Sequence, residues 1–478
     1  VTKVSEQTTP ETSEPKTESH DPAVPEAYSR FMRTGWGDRE LDLPRRPVAD
    51  RAAERRRRLA EVFPGERLVL PAGTYQVRAN DTDYRFRADT AHTYFSGNQT
   101  SDAVLVLTDG EAVLYARPRS SRETDEFFRD RQYGELWAGR RPSARELSDS
   151  LGIEVRHVDR LQDDLGRSAP AKTRVHRGLS AHVDRLVAAD AALDDDLARV
   201  ASEMRLVKDD WEVEQLQQAC DVTTLGFEDS VREWPRVLEY GERWIEGTFF
   251  RRARAMGNDI GYDSIVGGGS HATTLHWIDN TGPITPGELV LLDMGVEGRE
   301  LYTADVTRTL PVDGTFTPVQ RDLYDLVHAA QQAGIDAVRP GVPFGDVHQA
   351  SMTVLAHGLE GMGLLPVSAE EALDPDNRTY ARWTLHGTSH MLGMDVHDCG
   401  RAAPESYAKG TLAAGMVLTV EPGLYFQEDD LLVPAELRGI GIRIEDDVLV
   451  TAEGSRNLSA SLPRDAAGVE EWMGRLLP

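Results

Sequence analysis

Cysteine is nearly absent from the 478-residue chain: Cys220 and Cys399 are the only two. That is too few for a disulfide framework and suits a reducing compartment. No run approaches the roughly 18 consecutive apolar residues of a membrane span. The first residues also lack the basic-then-apolar order of a secretory signal. These absences make a cytoplasmic location the expectation, with no membrane partner. Basic charge is short as well. The 53 Lys and Arg stand against 80 Asp and Glu, for a formal net charge of −27. No basic stretch offsets the acids, so a nucleic-acid partner is not expected. The run Arg55–Arg58 is brief, sits in an acid-flanked, helix-like segment, and reads as a solvated helix face.

The chain is too long for a single hydrophobic core, so two domains are expected. Residues 1–25 are rich in Thr, Ser, Glu and Pro and are expected to form a disordered tail. Residues 26–205 read as an α/β domain that does not gather His, Asp and Glu at chemical spacing. It opens with a helix over Ala52–Val62, whose stripe is Leu59, Val62 and Phe63. A strand Arg67–Pro71 follows, then a hairpin from Ala103 to Tyr115 that turns at Asp109-Gly110. The helix Asp190–Met204 leads into a junction, Met204–Lys208. Residues 206–478 form the second domain. Its first helix starts near Asp209, with Val213, Leu216, Cys220, Thr223 and Phe227 on the apolar stripe, so Cys220 reads as a buried structural thiol. Thr317-Pro318-Val319-Gln320 is a capping box with Pro at the first helical position, and a further helix covers about Phe344–His357. Ser368–Thr379 reads as a surface loop.

Function concentrates in Leu385–Gly400, where His386, His390 and His397 fall within twelve residues although the chain has 13 histidines in all. Four acids stand in strand-like apolar settings elsewhere: Asp293, Asp305, Glu421 and Glu445. Asp293 and Glu421 each end an apolar run. Alternation puts Asp305 on one face with Thr307, and Glu445 on one face with Arg443. A buried carboxylate needs a cation or several donors. Four carboxylates with an imidazole suit a pair of divalent ions, and hence a two-metal hydrolase. His390 is a candidate ligand and His397 a candidate substrate contact. His276, beside Trp277, is evenly balanced between a core histidine and a functional one. Cys399 is not expected among hard oxygen ligands. Val290–Gly295 also faintly echoes Val417–Gly423, each an apolar strand delivering an acid just before a glycine.

The motifs Leu291–Gly295, Ala304–Thr309, His386–Asp398, Thr419–Gly423 and Ile442–Asp446 together resemble the pita-bread metallopeptidases. The closest resemblance is to their Xaa-Pro aminopeptidase (aminopeptidase P) group, bacterial type. The resemblance implies an α/β (α+β) chain, with a creatinase/prolidase-like N-terminal domain before a pita-bread catalytic domain with pseudo-two-fold halves. It makes Asp293 the ligand of one ion, Asp305 and Glu445 bridges, and His390 with Glu421 the remaining ligands. His276, His386 and His397 become active-site histidines, and Arg443 the support of the bridging carboxylates. The leaving nitrogen of the substrate must be protonated, by Glu421 or by a metal-bound water, with Glu421 favoured because one carboxylate in such a site often serves twice. The ions would be two Mn²⁺, with Co²⁺ or Zn²⁺ as alternatives.

A metal-bridging hydroxide would then attack the Xaa-Pro bond of peptides with proline second. Homodimers or homotetramers are implied. The segment Phe127–Arg141 resembles the family's non-catalytic domain. Trp277 stands where tyrosine is common and would alter the pocket for the residue before proline, and the Asp293–Asp305 gap looks one residue longer than in close relatives. The alternatives are an Xaa-Pro dipeptidase (prolidase), a pseudoenzyme kept as a binding module, and metal-free amidinohydrolase chemistry of the creatine type.

Overall fold

The computed structural model describes residues 23–167 and 172–478. The expected N-terminal tail lies outside the described residues as far as position 22. The chain divides into two compact units at Leu197/Ala198, inside the helix Ala191–Glu203 and ahead of the junction expected at Met204–Lys208.

In the first unit, the apolar runs become a five-stranded sheet. Its order is Glu154–His157, Glu111–Ala116, Val104–Thr108, Arg67–Pro71, Thr173–Val175. The inner pairs are antiparallel and both outer pairs parallel. The hairpin turns at Asp109 and Gly110 with φ of 52° and 82°, the left-handed pair that a tight two-residue turn requires. The first long helix runs Val48–Val62; Leu59 and Phe63 are buried but Val62 faces outward. The arginine run departs from expectation, because Arg55 and Arg56 are buried. Arg55 lies over the Tyr94 ring and donates to Tyr94 O, while Arg56 donates to Phe95 O at 2.7 Å. Both caps fall on the helix Thr90–Ser96, so carbonyls at its C-terminal end take up the guanidinium donors.

That short helix also buries His92 completely. Asn98 Nδ2 lies 3.1 Å from its Nε2, and Leu70 O lies 2.8 Å from its Nδ1. An amide donor on one nitrogen and a carbonyl on the other fit the neutral ring protonated at Nδ1. Burial pushes its pKa from 6.5 down to about 4. The unfolded chain therefore takes up this proton from pH 6.5 downward, whereas the folded unit resists it until about pH 4. The stability that His92 contributes is fully present above pH 6.5 and is lost as the pH drops through that window, by roughly 3 kcal/mol. His92→Gln should flatten this slope. Urea unfolding of both proteins at pH 7 and pH 5 checks it, and equal slopes would refute the assignment.

In the second unit, Asp209 and Glu212 close a capping box that starts the helix Asp210–Arg232, with Leu216, Cys220, Thr223 and Phe227 buried. Its neighbour is the helix Glu242–Met256. A second helix pair, Pro318–Ala337 and Phe344–Gly361, starts at the Thr317 capping box and buries Leu323, Val327 and Ala330. Two three-stranded antiparallel sheets accompany them. One orders Val306–Pro311, Leu289–Met294, Ile265–Gly268; the other orders Val417–Val420, Asp446–Val450, Ser455–Asn457. Phe227, Phe249, Leu292, Val327, Ile442 and Trp472 belong to the main core. The segment expected to be a surface loop is partly helical: Ser368 caps Ala369–Ala372, and both terminal alanines are buried in the core. No helix among the described residues is long and apolar enough to cross a membrane.

Candidate metal centre

The two sheets deliver acids in the same way. Asp293 sits near the end of the strand Leu289–Met294, opposite Thr307. Asp305 immediately precedes the partner strand Val306–Pro311. In the other sheet, Glu421 follows Val417–Val420 and Glu445 precedes Asp446–Val450, with Val420 opposite Asp446. Each antiparallel pair thus presents one acid from each strand at the same end. Gly295 is required where the chain leaves Asp293, because a Cβ there would stand 1.7 Å from Ala304 O.

The four acids meet His276, His386, His390, His397 and Arg443 around one cavity of about 550 Å³. Ligating atoms of Asp305, His390 and Glu445 lie within 4.8 Å of one another. His390 Nε2 is 3.2 Å from Asp305 Oδ2 and 3.6 Å from Glu421 Oε1. Its Nδ1 is 3.3 Å from Met391 O, which fixes the tautomer and leaves Nε2 to face the acids. Thr419 secures the same residue through its backbone, accepting His390 N–H at its hydroxyl and donating its own N–H to His390 O. His397 lies edge-on to His390, with centroids 4.4 Å apart, and is exposed to the cavity. His276 is exposed too, so it is not a core histidine. His386 Nδ1 is 3.4 Å from Glu421 Oε2, and its Nε2 is 2.8 Å from the Tyr425 hydroxyl. Arg443 donates to Asp293 Oδ2 at 2.6 Å, to the Tyr425 hydroxyl at 3.0 Å and to Thr307 Oγ1 at 3.2 Å.

Charge in this cavity is unbalanced. Burial and the neighbouring carboxylates push the Glu445 carboxyl well above its ordinary range. Burial raises Asp293 to about 6, against the pull of Arg443 and with a further push from Asp305. Burial would raise Glu421 as well, but His386 and His390 hold it down. Buried acids that repel one another are the donor set for divalent cations, hard ions that take carboxylate oxygen and imidazole nitrogen. The residues present fit such ions.

Several functional side chains escaped the sequence reading. The Tyr262 hydroxyl lies 2.6 Å from Asp293 Oδ1 and 2.5 Å from Asp305 Oδ1, one proton between two acceptors. Thr307, noted only as sharing a face with Asp305, donates to Glu445 Oε2 at 2.5 Å. Asp447 Oδ2 accepts from Asp305 N and from Cys220 Sγ, both at 3.1 Å, so the buried thiol reaches the support of the site. Arg308, fully buried, pairs with Asp446 at 2.7 Å and donates to the carbonyls of Thr307 and Glu445. It thereby ties together the segments that carry Asp305 and Glu445. Arg205 donates to Asp398 at 2.9 Å, anchoring the loop that presents His397. Trp277 differs from expectation: Leu275, His276 and Ile278 line the cavity, while the Trp277 indole turns away and donates to Glu242.

Residues 214–452 match the family model of Metallopeptidase family M24, and residues 52–176 match Aminopeptidase P, N-terminal domain. Xaa-Pro aminopeptidase 1 of Streptomyces coelicolor is 53% identical over 462 residues, covering 95% of this chain and 93% of the relative. Among solved structures, Escherichia coli aminopeptidase P with the inhibitor Pro-Leu superposes with a TM-score of 0.79 at 28% identity, over 92% of this chain and 99% of that one. A variant of the same Escherichia coli enzyme in complex with substrate gives 0.79 at 30% identity, over 90% and 98%.

Proposed function

Because the chain belongs to metallopeptidase family M24, with an aminopeptidase P-type N-terminal domain before a pita-bread catalytic domain, we propose that it releases the N-terminal residue from peptides with proline in second place. The observation that carries this reading is the convergence of Asp293, Asp305, His390, Glu421 and Glu445 on one cavity. Asp305 and Glu445 would be shared between two ions, Asp293 would complete one, and His390 with Glu421 the other. Manganese is the proposed metal. Bound there, such ions polarise a carbonyl and lower the pKa of water.

The chain's own residues do the rest. His276 and His397 face the cavity and would donate to the substrate carbonyl oxygen as charge develops on it. Leu275 and Ile278 provide an apolar wall for a proline ring. The proline nitrogen must gain a proton as the bond to it breaks. Glu421 would carry that proton, held in place by His386 and, through it, by Tyr425 and Arg443. The neighbouring acids would bind the substrate's terminal ammonium. A homo-oligomer in the cytoplasm completes the proposal, the latter supported by two buried free thiols.

A hydrolysis panel tests it. Xaa-Pro-Yaa peptides should be cleaved in the presence of manganese. Acetylating the amine, or replacing the second-position proline with alanine, should cut kcat/KM sharply. Much faster turnover of Xaa-Pro dipeptides than of any longer peptide would make the protein a prolidase instead.

A further inference from the structure

The loop bearing His276 runs from Gly268, at the end of one sheet strand, to Gly282. One side chain outside the cavity gathers it. Glu242, the first residue of the helix Glu242–Met256, is completely buried. Its Oε1 accepts from Gly268 N at 2.8 Å and lies 2.8 Å from His271 Nδ1. Its Oε2 accepts from Trp277 Nε1 at 2.9 Å and from Gly282 N at 2.6 Å. The His271 and Trp277 rings stack with centroids 3.9 Å apart, so the two side-chain donors brace each other. The four contacts use each carboxylate oxygen twice, which fills most of the acceptor positions the group has. The four attachments straddle His276 in sequence, and Trp277 is its immediate neighbour. Gly282 itself leaves no room for a side chain: a Cβ there would stand 2.7 Å from Glu242 Oε1 and 2.5 Å from His271 Nδ1.

We propose that Glu242 is a positioning residue for the reaction, a buried carboxylate latch that sets where the His276 imidazole stands in the cavity. This rests on the reading that His276 acts on substrate. Because Trp277 is one of the latch donors, the tryptophan acts on the pocket through the loop.

Glu242→Gln keeps the shape but turns an N–H₂ group toward two donors. It should lower kcat by about 10- to 100-fold, the scale of displacing a reacting group by a fraction of an ångström to an ångström. KM and metal content should stay near those of the parent holoenzyme. A side chain that merely supported the fold would lower kcat on top of any other change, whereas one acting through His276 would not. The decisive comparison is therefore Glu242→Gln made in the His276→Ala background, where it should cost nothing further. Trp277→Phe keeps the ring stack and removes one donor; it should cause a smaller fall in kcat that also vanishes in that background. It carries the same test if Glu242→Gln does not fold. If His276→Ala is impaired but both latch variants turn over normally, or if their effects add fully to it, the latch is wrong and the role of His276 stands. Full activity in His276→Ala would overturn both.

Discussion

Stripping divalent metal from the purified protein should abolish peptide hydrolysis and leave a folded chain. Asp305, His390 and Glu445 bring ligating atoms within 4.8 Å of one another, and Glu421 Oε1 lies 3.6 Å from His390 Nε2. Loss of cations from such a site forfeits several kcal/mol of transition-state stabilisation, which corresponds to a fall of about 10³-fold or more. The fold should survive because its main core, including Phe227, Phe249, Leu292 and Val327, is built from apolar side chains and not from the ligand set. Far-ultraviolet circular dichroism should be unchanged. The melting temperature should fall, since ions that bind only the native state stabilise it by mass action.

The ligand assignments add a graded expectation. Asp305→Asn and Glu445→Gln should each lose both ions, whereas Asp293→Asn should weaken chiefly one. Asp293 already has Tyr262 on one oxygen and Arg443 on the other, so part of its charge is met by protein groups. Metal analysis of the three variants separates these cases. Two tight ions in all of them, or full activity in a sample shown to be metal-free, would defeat the two-metal reading.

What could be read from sequence follows the range of the forces involved. The hairpin at Asp109-Gly110 and the capping boxes at Asp209 and Thr317 depend on neighbours within a few residues, and those neighbours are visible. Asp293 and Glu421 stood out because a carboxylate at the end of an apolar strand has no local way to be satisfied. The supporting side chains gave no such sign. Tyr262 meets Asp305 43 residues away, Asp447 meets Asp305 across 142, and Glu242 meets Gly282 across 40. Arg55 and Arg56 were misread for the same reason. The carbonyls that cap them lie 39 residues on, on a different helix, and a helical pattern alone sends any arginine to solvent. Trp277 shows the limit most plainly. Its neighbour His276 lines the cavity and it does not, because Glu242 offers the half-buried indole an acceptor.

His397→Ala and His276→Ala should each lower kcat by about 10²-fold while metal content stays near that of the parent, the scale of losing one positioned donor or proton-transfer group. Neither imidazole belongs to the tight cluster of Asp305, His390 and Glu445. His397 stands edge-on to His390, which places its ring beside the proposed ligand and not in its place. Both rings are exposed to the cavity, where a scissile carbonyl would lie. The need for them follows from the substrate. Cleaving before proline means attacking an imide, whose nitrogen offers no N–H for the site to hold. Stabilisation must then act on the carbonyl oxygen, where negative charge grows. A donor that meets that oxygen only in the transition state raises kcat more than it lowers KM. The two variants should therefore lose kcat with KM little changed. Metal analysis run beside the kinetics decides the alternative: a variant that has lost an ion places its histidine among the ligands, and one with normal kcat places it outside the reaction altogether.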